Sequence, residues 1–412
     1  MKISFLTLGC RVNQAETEEL KRKFRQKGFK IVGFKEKADI YFINACSVTN
    51  KAEKESRQAI HQARRQNEKG LIIVAGCFLE KKLKEIDLYI SNQEKNNSLE
   101  KIISLLKKKN ITFKEERKKN GLEIEKIRAL IKIEEGCDEF CSFCIVPFLR
   151  GKPISFSPQK IIQEIKEREK EGYKEIVLVG TNLGKYNWRG KNLVWLIEKI
   201  LKETEIPRLR LSSLWPGLLT EKMIRLLENK RFCPHFHLSL QSGSERILSL
   251  MGRNYKIKKI EKTIKEIRER FPEVIFTGDI IVGFPGEKEK DFQQTLDFVK
   301  KMKFYKLHLF RYSPRPGTKA AVLKGQLPEE VKKERLARLK KIIFKINQEE
   351  RKKLLGQKFF VLFEGKKEKF WFGFTENYLK VYCPVNKNLK NKIKRVKLEK
   401  IFKDGFQVNL TY

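Results

Sequence analysis

Short apolar runs alternate with amphipathic, heavily charged stretches along most of the chain, and the beat changes near its end. Ile3 to Leu8, Asp39 to Ile43 and Leu71 to Ala75 read as strands, while Ala15 to Lys27, Lys51 to Asn67 and Asn96 to Asn110 carry helical periodicity. Gly28 closes the first helix, at a position that glycine occupies in the left-handed conformation without steric cost. Strand–helix alternation of this kind predicts a parallel sheet with helices on its faces. The charged stretch Thr112 to Lys119 reads as a linker. From Arg128 to about Gly325 the alternation resumes, with candidate strands at Ala129 to Ile133, Glu175 to Val179, Arg208 to Leu211, His235 to Leu240, Val274 to Ile281 and Tyr305 to Phe310. Helices such as Pro158 to Lys170 and Tyr255 to Arg270 fit between them. Six strand–helix units predict an open or partial (β/α) barrel, and a doubly wound sheet satisfies the same pattern. After a long basic helix at Pro328 to Leu355 the period falls to two. Lys358 to Glu364, Lys369 to Phe374, Leu379 to Cys383, Lys392 to Leu398 and Gly405 to Leu410 then predict a small closed β-barrel. Phe370, Phe372 and Phe374 form its inward row in this reading, which leaves Trp371 and Tyr378 as surface aromatics.

The 412 residues exceed the roughly 250 to 300 at which a single core stops growing, so two or three domains are expected. An apolar fraction of 40% excludes a wholly disordered chain. No run of about 18 uncharged apolar residues is present, and Met1 to Cys10 is too short for a secretory signal, which predicts a soluble cytoplasmic protein. Lys plus Arg outnumber Asp plus Glu by 91 to 51, a net charge of +40. Such an excess on folded sequence points to a polyanion partner, the alternative being a general lysine bias. Residues 351–412 carry net +11, about twice the charge density of the rest. Within them Lys392, Lys394, Arg395 and Lys397 are the densest basic group. Because this tail holds no member of the two cysteine triads below, the remainder is expected to bind its cofactors without it.

Eight cysteines in a long chain without an export signal argue for reduced thiols with metal or catalytic roles. Cys137, Cys141 and Cys144 form C-x3-C-x2-C directly after the strand that opens the second section. Soft thiolates select zinc or iron–sulfur clusters. Zinc wants a fourth ligand, and no Cys or His follows nearby, whereas three thiolates can wrap a cubane cluster and leave one iron open for chemistry. Cys10, Cys46 and Cys77 are dispersed, but each follows a predicted parallel strand directly or within three residues. All three are thus expected at one edge of one sheet, as a second metal centre or as ordinary buried packing. Cys233 and Cys383 stand alone and read as structural. Small or polar residues recur after successive strands: Gly180-Thr181-Asn182, Ser212-Ser213, Gln241-Ser242-Gly243 and Tyr312-Ser313. Ligands of parallel α/β folds sit at that carboxyl edge.

The cysteine signature, with Gly278-Asp279-Ile280-Ile281-Val282-Gly283-Phe284-Pro285-Gly286-Glu287 and His237-Leu238-Ser239-Leu240-Gln241-Ser242-Gly243-Ser244, resembles the radical S-adenosylmethionine methylthiotransferases. Thr375-Glu376-Asn377-Tyr378 is similar to the pattern of the TRAM domain, an OB-like RNA-binding barrel. The resemblance spans essentially the whole chain. It implies a Rossmann-like amino-terminal methylthiotransferase domain over 1–120, a partial (β/α)6 radical-SAM core over 121–348 and a TRAM barrel over 349–412. It also implies two [4Fe–4S] clusters, one on Cys137, Cys141 and Cys144 and one on Cys10, Cys46 and Cys77, with S-adenosylmethionine as the other cofactor. Thr7-Leu8-Gly9-Cys10-Arg11-Val12-Asn13-Gln14, Val48-Thr49-Asn50 and Leu307-His308-Leu309-Phe310 resemble the branch that modifies threonylcarbamoyladenosine at position 37 of tRNA. Other branches act on isopentenyladenosine 37 or on a ribosomal-protein aspartate. At Ser212-Ser213-Leu214-Trp215-Pro216 the chain departs from its branch, where glutamate commonly replaces the tryptophan.

Phe143, Gly180, Thr181, Ser213, Gln241 and Asp279 are the expected cofactor wall, with packing as the alternative for Phe143 and turn capping for Asp279. The expected RNA contacts are Trp371, Tyr378, Lys392, Lys394, Arg395 and Lys397. The partners implied are a tRNA anticodon stem-loop, a reductant such as flavodoxin or ferredoxin and a sulfur donor, with no membrane. A non-catalytic iron–sulfur RNA-binding protein is the competing reading from another class.

Overall fold

The structure is a computed structural model that describes residues 1–80, 83–111 and 127–411. The expected linker at Thr112 to Lys119 lies outside the described residues. The chain divides into two compact units, and the division does not follow the sequence order. One unit takes Met1–Glu123 together with Glu135–Ile154 and Ser313–Ala321; the other takes Ile124–Glu134, Ser155–Tyr312 and Val322–Tyr412.

The first unit is built on a five-stranded parallel sheet. Its strands are β1 (Lys2–Thr7), β2 (Lys30–Val32), β3 (Ile40–Cys46), β4 (Leu71–Cys77) and β5 (Leu88–Ile90), in the order β2-β1-β3-β4-β5. Strands β3 and β4 are buried along their whole length, as continuous apolar runs in a doubly covered parallel sheet must be. Helices α1 (Arg11–Gln26), α2 (Asn50–Gln66) and α3 (Ser98–Lys108) supply the cover through one apolar stripe each. Phe24, Ile60 and Ile102 are fully buried. The arrangement is the helix-covered parallel sheet that the alternation predicts and the Rossmann-like layer that the resemblance implies. The C-x3-C-x2-C loop and helix α4 (Val146–Arg150) belong to this same unit.

The second unit contains the six-stranded partial barrel. Arg128–Lys132, Glu175–Val179 and Arg208–Leu211 form a parallel sheet in that spatial order. The third strand continues past Ser212 into Ser213–Leu214, which pairs in parallel with His235–Gln241, then Ile275–Val282, then Lys306–Arg311. The doubly wound alternative is thereby set aside. Helices such as Pro158–Lys170 and Ile257–Arg270 pack isoleucines at helical spacing onto the outer face.

After the helix Glu329–Leu354, five strands close into a barrel in the order 358–367, 370–375, 380–383, 405–410, 393–402. Here the inward row differs from the expected one. Trp371, Gly373 and Thr375 are buried and Trp371 packs in the barrel core, whereas Phe372 and Phe374 are half-buried outside that cluster. Gly373 sets the face: a Cβ there would lie 2.3 Å from the Leu362 carbonyl oxygen. A period-two strand offers two phases, and the close strand approach at glycine selects the one opposite to the Phe row. Trp371 is therefore no surface aromatic.

Tyr378 is not one either, because the barrel is docked on the amino ends of the core strands. Its ring stacks between His235 and Phe374, each 4.8 Å away, with the Arg210 guanidinium 4.8 Å and that of Arg128 5.1 Å from its centroid. Arg210 Nε donates to Glu175 Oε1 at 2.7 Å, and its Nη2 reaches the Thr375 carbonyl at 3.4 Å. Arg208 donates to the carbonyls of Phe360 (2.6 Å) and Phe374 (3.1 Å), and Arg128 pairs with Glu364 at 2.7 Å. The tail is thus joined to the core by buried charge. No helix among the described residues is long and apolar enough to cross a membrane.

Candidate functional site

Cys10, Cys46 and Cys77 converge because three parallel strands end side by side. Cys46 and Cys77 are register partners at the ends of β3 and β4, and Cys10 occupies the position before the first residue of α1, just after β1. Two of the thiols follow a left-handed glycine. Gly9 has φ +87° and a Cβ there would lie 2.7 Å from Cys46 Sγ; Gly76 has φ +103° and a Cβ would meet Asn44 Oδ1 at 2.6 Å. Only glycine lets the backbone approach this closely at that φ. Ser56 fixes the Cys46 backbone, accepting from its N–H and donating to its carbonyl, both at 3.1 Å.

Burial pushes the Cys46 thiol up to about 12; the Val48 N–H favours the thiolate, and Cys77 and Cys10 oppose it. The three strand ends thus bring three sulfurs, soft donors, to one edge of the sheet. Asn92 Nδ2 donates to Cys77 Sγ at 3.4 Å and to the Leu149 carbonyl at 2.8 Å, so one side chain ties this triad to α4.

Sequence reasoning missed a buried ionic cluster beside the triad. Lys95 Nζ donates to Glu16 Oε2 at 2.5 Å, and Arg150 Nη1 donates to Glu16 Oε1 at 3.0 Å and Glu135 Oε1 at 2.8 Å. Arg150 Nη2 adds Asn13 Oδ1 at 2.5 Å, while Asn13 Nδ2 donates to the carbonyls of Leu8 (2.8 Å) and Ala45 (3.2 Å). Arg150, six residues after Cys144, is thereby bound to the turn that follows Cys10. The only signal for it in the sequence is its place next to the cysteine loop. Both cations are buried, and a Cβ at Gly76, the residue before Cys77, would lie 3.2 Å from Lys95 Nζ.

Cys137, Cys141 and Cys144 lie on a loop that folds back on itself. Cys137 N–H donates to the Gly151 carbonyl at 3.0 Å and Cys144 N–H to the Cys141 carbonyl at 2.9 Å. Gly136, at φ +92°, passes so near Lys152 that a Cβ would sit 2.2 Å from its carbonyl oxygen. The Ser142 carbonyl accepts from Ala320 N–H at 2.7 Å, and Arg315 pairs with Asn50 and Glu53, so residues 313–321 brace this loop and the start of α2 together. Three soft donors within eight residues on a braced loop fit an iron–sulfur cluster with one open iron. Phe143 is half-buried in this loop.

The remaining cofactor-wall candidates lie in the second unit. Gly180, Thr181, Ser213 and Gln241 stand at the carboxyl ends of neighbouring strands. Gly180 leaves room for Glu134, whose Oε2 accepts from Asn182 N–H at 2.9 Å; a Cβ at 180 would lie 2.7 Å from it. Gln241 has φ +70° at a register shift and is buried, and Ser213 is exposed. Asp279 sits deeper, between His237 Nε2 at 3.1 Å and His308 Nδ1 at 3.4 Å, and Thr277 Oγ1 holds His237 Nδ1 at 2.8 Å. Burial works against its charge, yet the two imidazoles hold the Asp279 carboxyl down to about 2. The three ligand atoms fall within 4.8 Å of one another, so Asp279 is engaged by histidines rather than capping a turn. Trp215 is half-buried, edge to face with Tyr255.

Residues 131–299 match the Radical SAM superfamily, and residues 2–95 match the Uncharacterized protein family UPF0004. Among solved structures, the radical S-adenosylmethionine methyltransferase TsrM from Kitasatospora setae, with cobalamin and a [4Fe-4S] cluster bound, has a similar fold. Its TM-score is 0.56 over 78% of this chain and 77% of that one, at 13% identity. Sequence and fold together define a radical S-adenosylmethionine enzyme. The chain is also 40% identical to the threonylcarbamoyladenosine tRNA methylthiotransferase MtaB of Aquifex aeolicus (strain VF5), over 92% of this chain and 96% of that protein. It is 34% identical to the tRNA-2-methylthio-N(6)-dimethylallyladenosine synthase of Endomicrobium trichonymphae, over 97% and 98%. The chain belongs to the radical-SAM tRNA methylthiotransferase family.

Proposed function

We propose that this protein transfers a methylthio group to C2 of N6-threonylcarbamoyladenosine at position 37 of tRNA, in the cytoplasm. The observation that carries the reading is the 40% identity to a threonylcarbamoyladenosine enzyme over nearly the whole chain, with all six cysteines in one compact unit. Residues 1–120 hold the sulfur-donating centre in this reading, 121–348 the radical machinery and 349–412 part of the RNA surface. A C2–H of adenine is not acidic, so acid–base side chains have no purchase on it and a cofactor must do the hard step. When bound, an iron–sulfur cluster supplies the electron that splits S-adenosylmethionine into methionine and a 5′-deoxyadenosyl radical. Cys137, Cys141 and Cys144 would hold that cluster, with Phe143, Gly180, Thr181, Ser213, Gln241 and Asp279 as the wall for S-adenosylmethionine. Cys10, Cys46 and Cys77 hold a second [4Fe–4S] cluster, with Asn92 donating to one sulfur and Arg150 and Lys95 offsetting its negative charge. A one-electron carrier and a sulfur source complete the system.

The test is nucleoside mass spectrometry of tRNA from a host lacking the native activity, with and without this protein. The expected result is 2-methylthio-threonylcarbamoyladenosine. A methylthiolated isopentenyladenosine or ribosomal-protein peptide in its place would overturn the substrate assignment.

RNA contact in the tail falls to a basic face with one aromatic. Phe360 is 52% exposed and lies directly across from Arg395, and Lys358 lies across from Lys397. Lys392, Lys394 and Arg395 are exposed. Replacing Lys392, Lys394, Arg395 and Lys397 with alanine is expected to weaken tRNA binding and flatten its salt dependence, by about one unit of slope per lost phosphate contact. Titrations at several salt concentrations decide the point; unchanged affinity and slope assign RNA binding elsewhere.

A further inference from the structure

Three neighbouring strands of the partial barrel carry His237, Asp279 and His308 on one face. Leu238, Ile280 and Leu307 of the same strands pack in the core with the helices, so by alternation the triad projects from the opposite, inner face. Both imidazoles converge on a single carboxylate oxygen, Asp279 Oδ1, His237 Nε2 from 3.1 Å and His308 Nδ1 from 3.4 Å. The second distance exceeds the roughly 2.7–3.2 Å of an N–H···O bond, and the first is longer than the roughly 2.7–2.9 Å of a charge-assisted one. Both suit a different arrangement. Donor atoms about 2.1 Å from one ion lie about 3.0 Å apart at right angles and about 3.4 Å apart at the tetrahedral angle. All three donor atoms fall within 4.8 Å of one another.

Thr277 supplies the support that a ligating histidine needs behind it. Its Oγ1 lies 2.8 Å from His237 Nδ1 and 2.9 Å from His235 Nε2. A hydroxyl has one proton to give, so Thr277 accepts from His237 Nδ1–H while it donates to His235, and the lone pair of His237 Nε2 is left facing Asp279. Two lone-pair atoms 3.1 Å apart call for a cation between them. We propose that His237, Asp279 and His308 form a binding site for a divalent first-row metal ion, held by two imidazoles and a carboxylate. Three protein ligands leave coordination positions open, and the His308 side chain, 52% exposed, gives the ion access from solvent. A bare Asp279 carboxylate repels an anionic group entering the barrel, whereas the ion lets the same position take a carboxylate, hydroxyl or water oxygen. The site stands apart from the tRNA reading, and its test uses neither RNA nor S-adenosylmethionine.

The probe is Mn²⁺, whose preference for harder donors keeps it off thiolates. The full-length reconstituted protein, its clusters oxidised and loose metal removed by EDTA and desalting, is titrated while the EPR signal of free Mn²⁺ is read. About one ion per chain is expected to leave the free signal, and the bound ion is expected to show nitrogen couplings from imidazole. His308→Ala, at an exposed position, and Asp279→Asn are each expected to lower the affinity about a hundredfold or more. Thr277→Val, which keeps all three ligands, is expected to lower it about ten- to a hundredfold. Iron content and melting temperature of each variant report an intact fold. Equal Mn²⁺ binding by wild type and either ligand variant, or a bound ion without nitrogen coupling, would overturn the site and leave the triad as a hydrogen-bonded cluster.

Discussion

Replacing Cys10, Cys46 and Cys77 with alanine is expected to take the anaerobically reconstituted protein from about eight irons per chain to about four. The two triads are held by different devices, so one can be removed without unmaking the other. The first depends on three strand ends with glycines at 9 and 76; the second depends on a loop closed by its own backbone and braced by Ala320. The triple variant is expected to cleave S-adenosylmethionine still and to form methylthio product only at background level. Cys141→Ala is expected to lose the cleavage as well, since two remaining thiolates cannot hold a cluster with an open iron. Cys233 and Cys383 are buried in the second unit, which holds neither triad, and Cys383 packs in the barrel core. Their alanine variants should keep all the iron. A wild-type value fixed near four would remove the second cluster, and product from the triple variant would reject the division of labour.

The sequence disclosed most where one strong pattern dominates. Strands β3 and β4 read clearly because full burial on both faces demands unbroken apolar runs, and the cysteine triad at their ends followed from topology alone. It disclosed least where charge is buried. Arg150, Lys95, Arg208 and Arg210 look like any of the 91 basic residues of the chain, and only coordinates separate an interior guanidinium from a solvated one. The docking of the tail is hidden for that reason, since Arg128, Arg208, Arg210 and Glu364 are residue types expected on a surface. The barrel phase failed for another. Phe370, Phe372 and Phe374 offer an apolar row, but the strand contact at Gly373 outweighs it, and a single step of phase turned Trp371 inward. His237 and His308 stand in separate motifs, yet their meeting at Asp279 needs the register of three strands, which spacing along the chain does not give.

Deleting residues 351–412 is expected to leave a chain that does not accumulate as folded protein, although neither cysteine triad is touched. The deletion removes Glu364 from Arg128, and the carbonyls of Phe360, Phe374 and Thr375 from Arg208 and Arg210. It also takes Tyr378 off His235 and the Asn377 side chain off the Glu273 carbonyl. Breaking one buried pair costs about 3–5 kcal/mol, against a total stability of roughly 5–15 kcal/mol. Several such losses at the amino ends of the core strands exceed what the fold can absorb. Arg210→Met in the full-length chain isolates one of them. It keeps much of the side-chain volume but leaves Glu175 in the interior without its nearest cation, and a drop of about 3 kcal/mol corresponds to roughly 6–12 °C in melting temperature for a large domain. Acid should shrink that gap. Burial pushes the Glu175 carboxyl up, but Arg210, with Arg128 and Arg208, holds it down at about 2. Stability from a depressed carboxylate is present above the ordinary glutamate value, about 4.3, and is lost as pH falls towards the folded value. Wild type should therefore lose its advantage over Arg210→Met between about pH 4 and pH 2, and hold it at pH 7. Thermal melts of both proteins across that range test the network. A truncated protein that melts like wild type, or an Arg210→Met variant with no loss at pH 7, would show that the tail is an appendage and not part of the core.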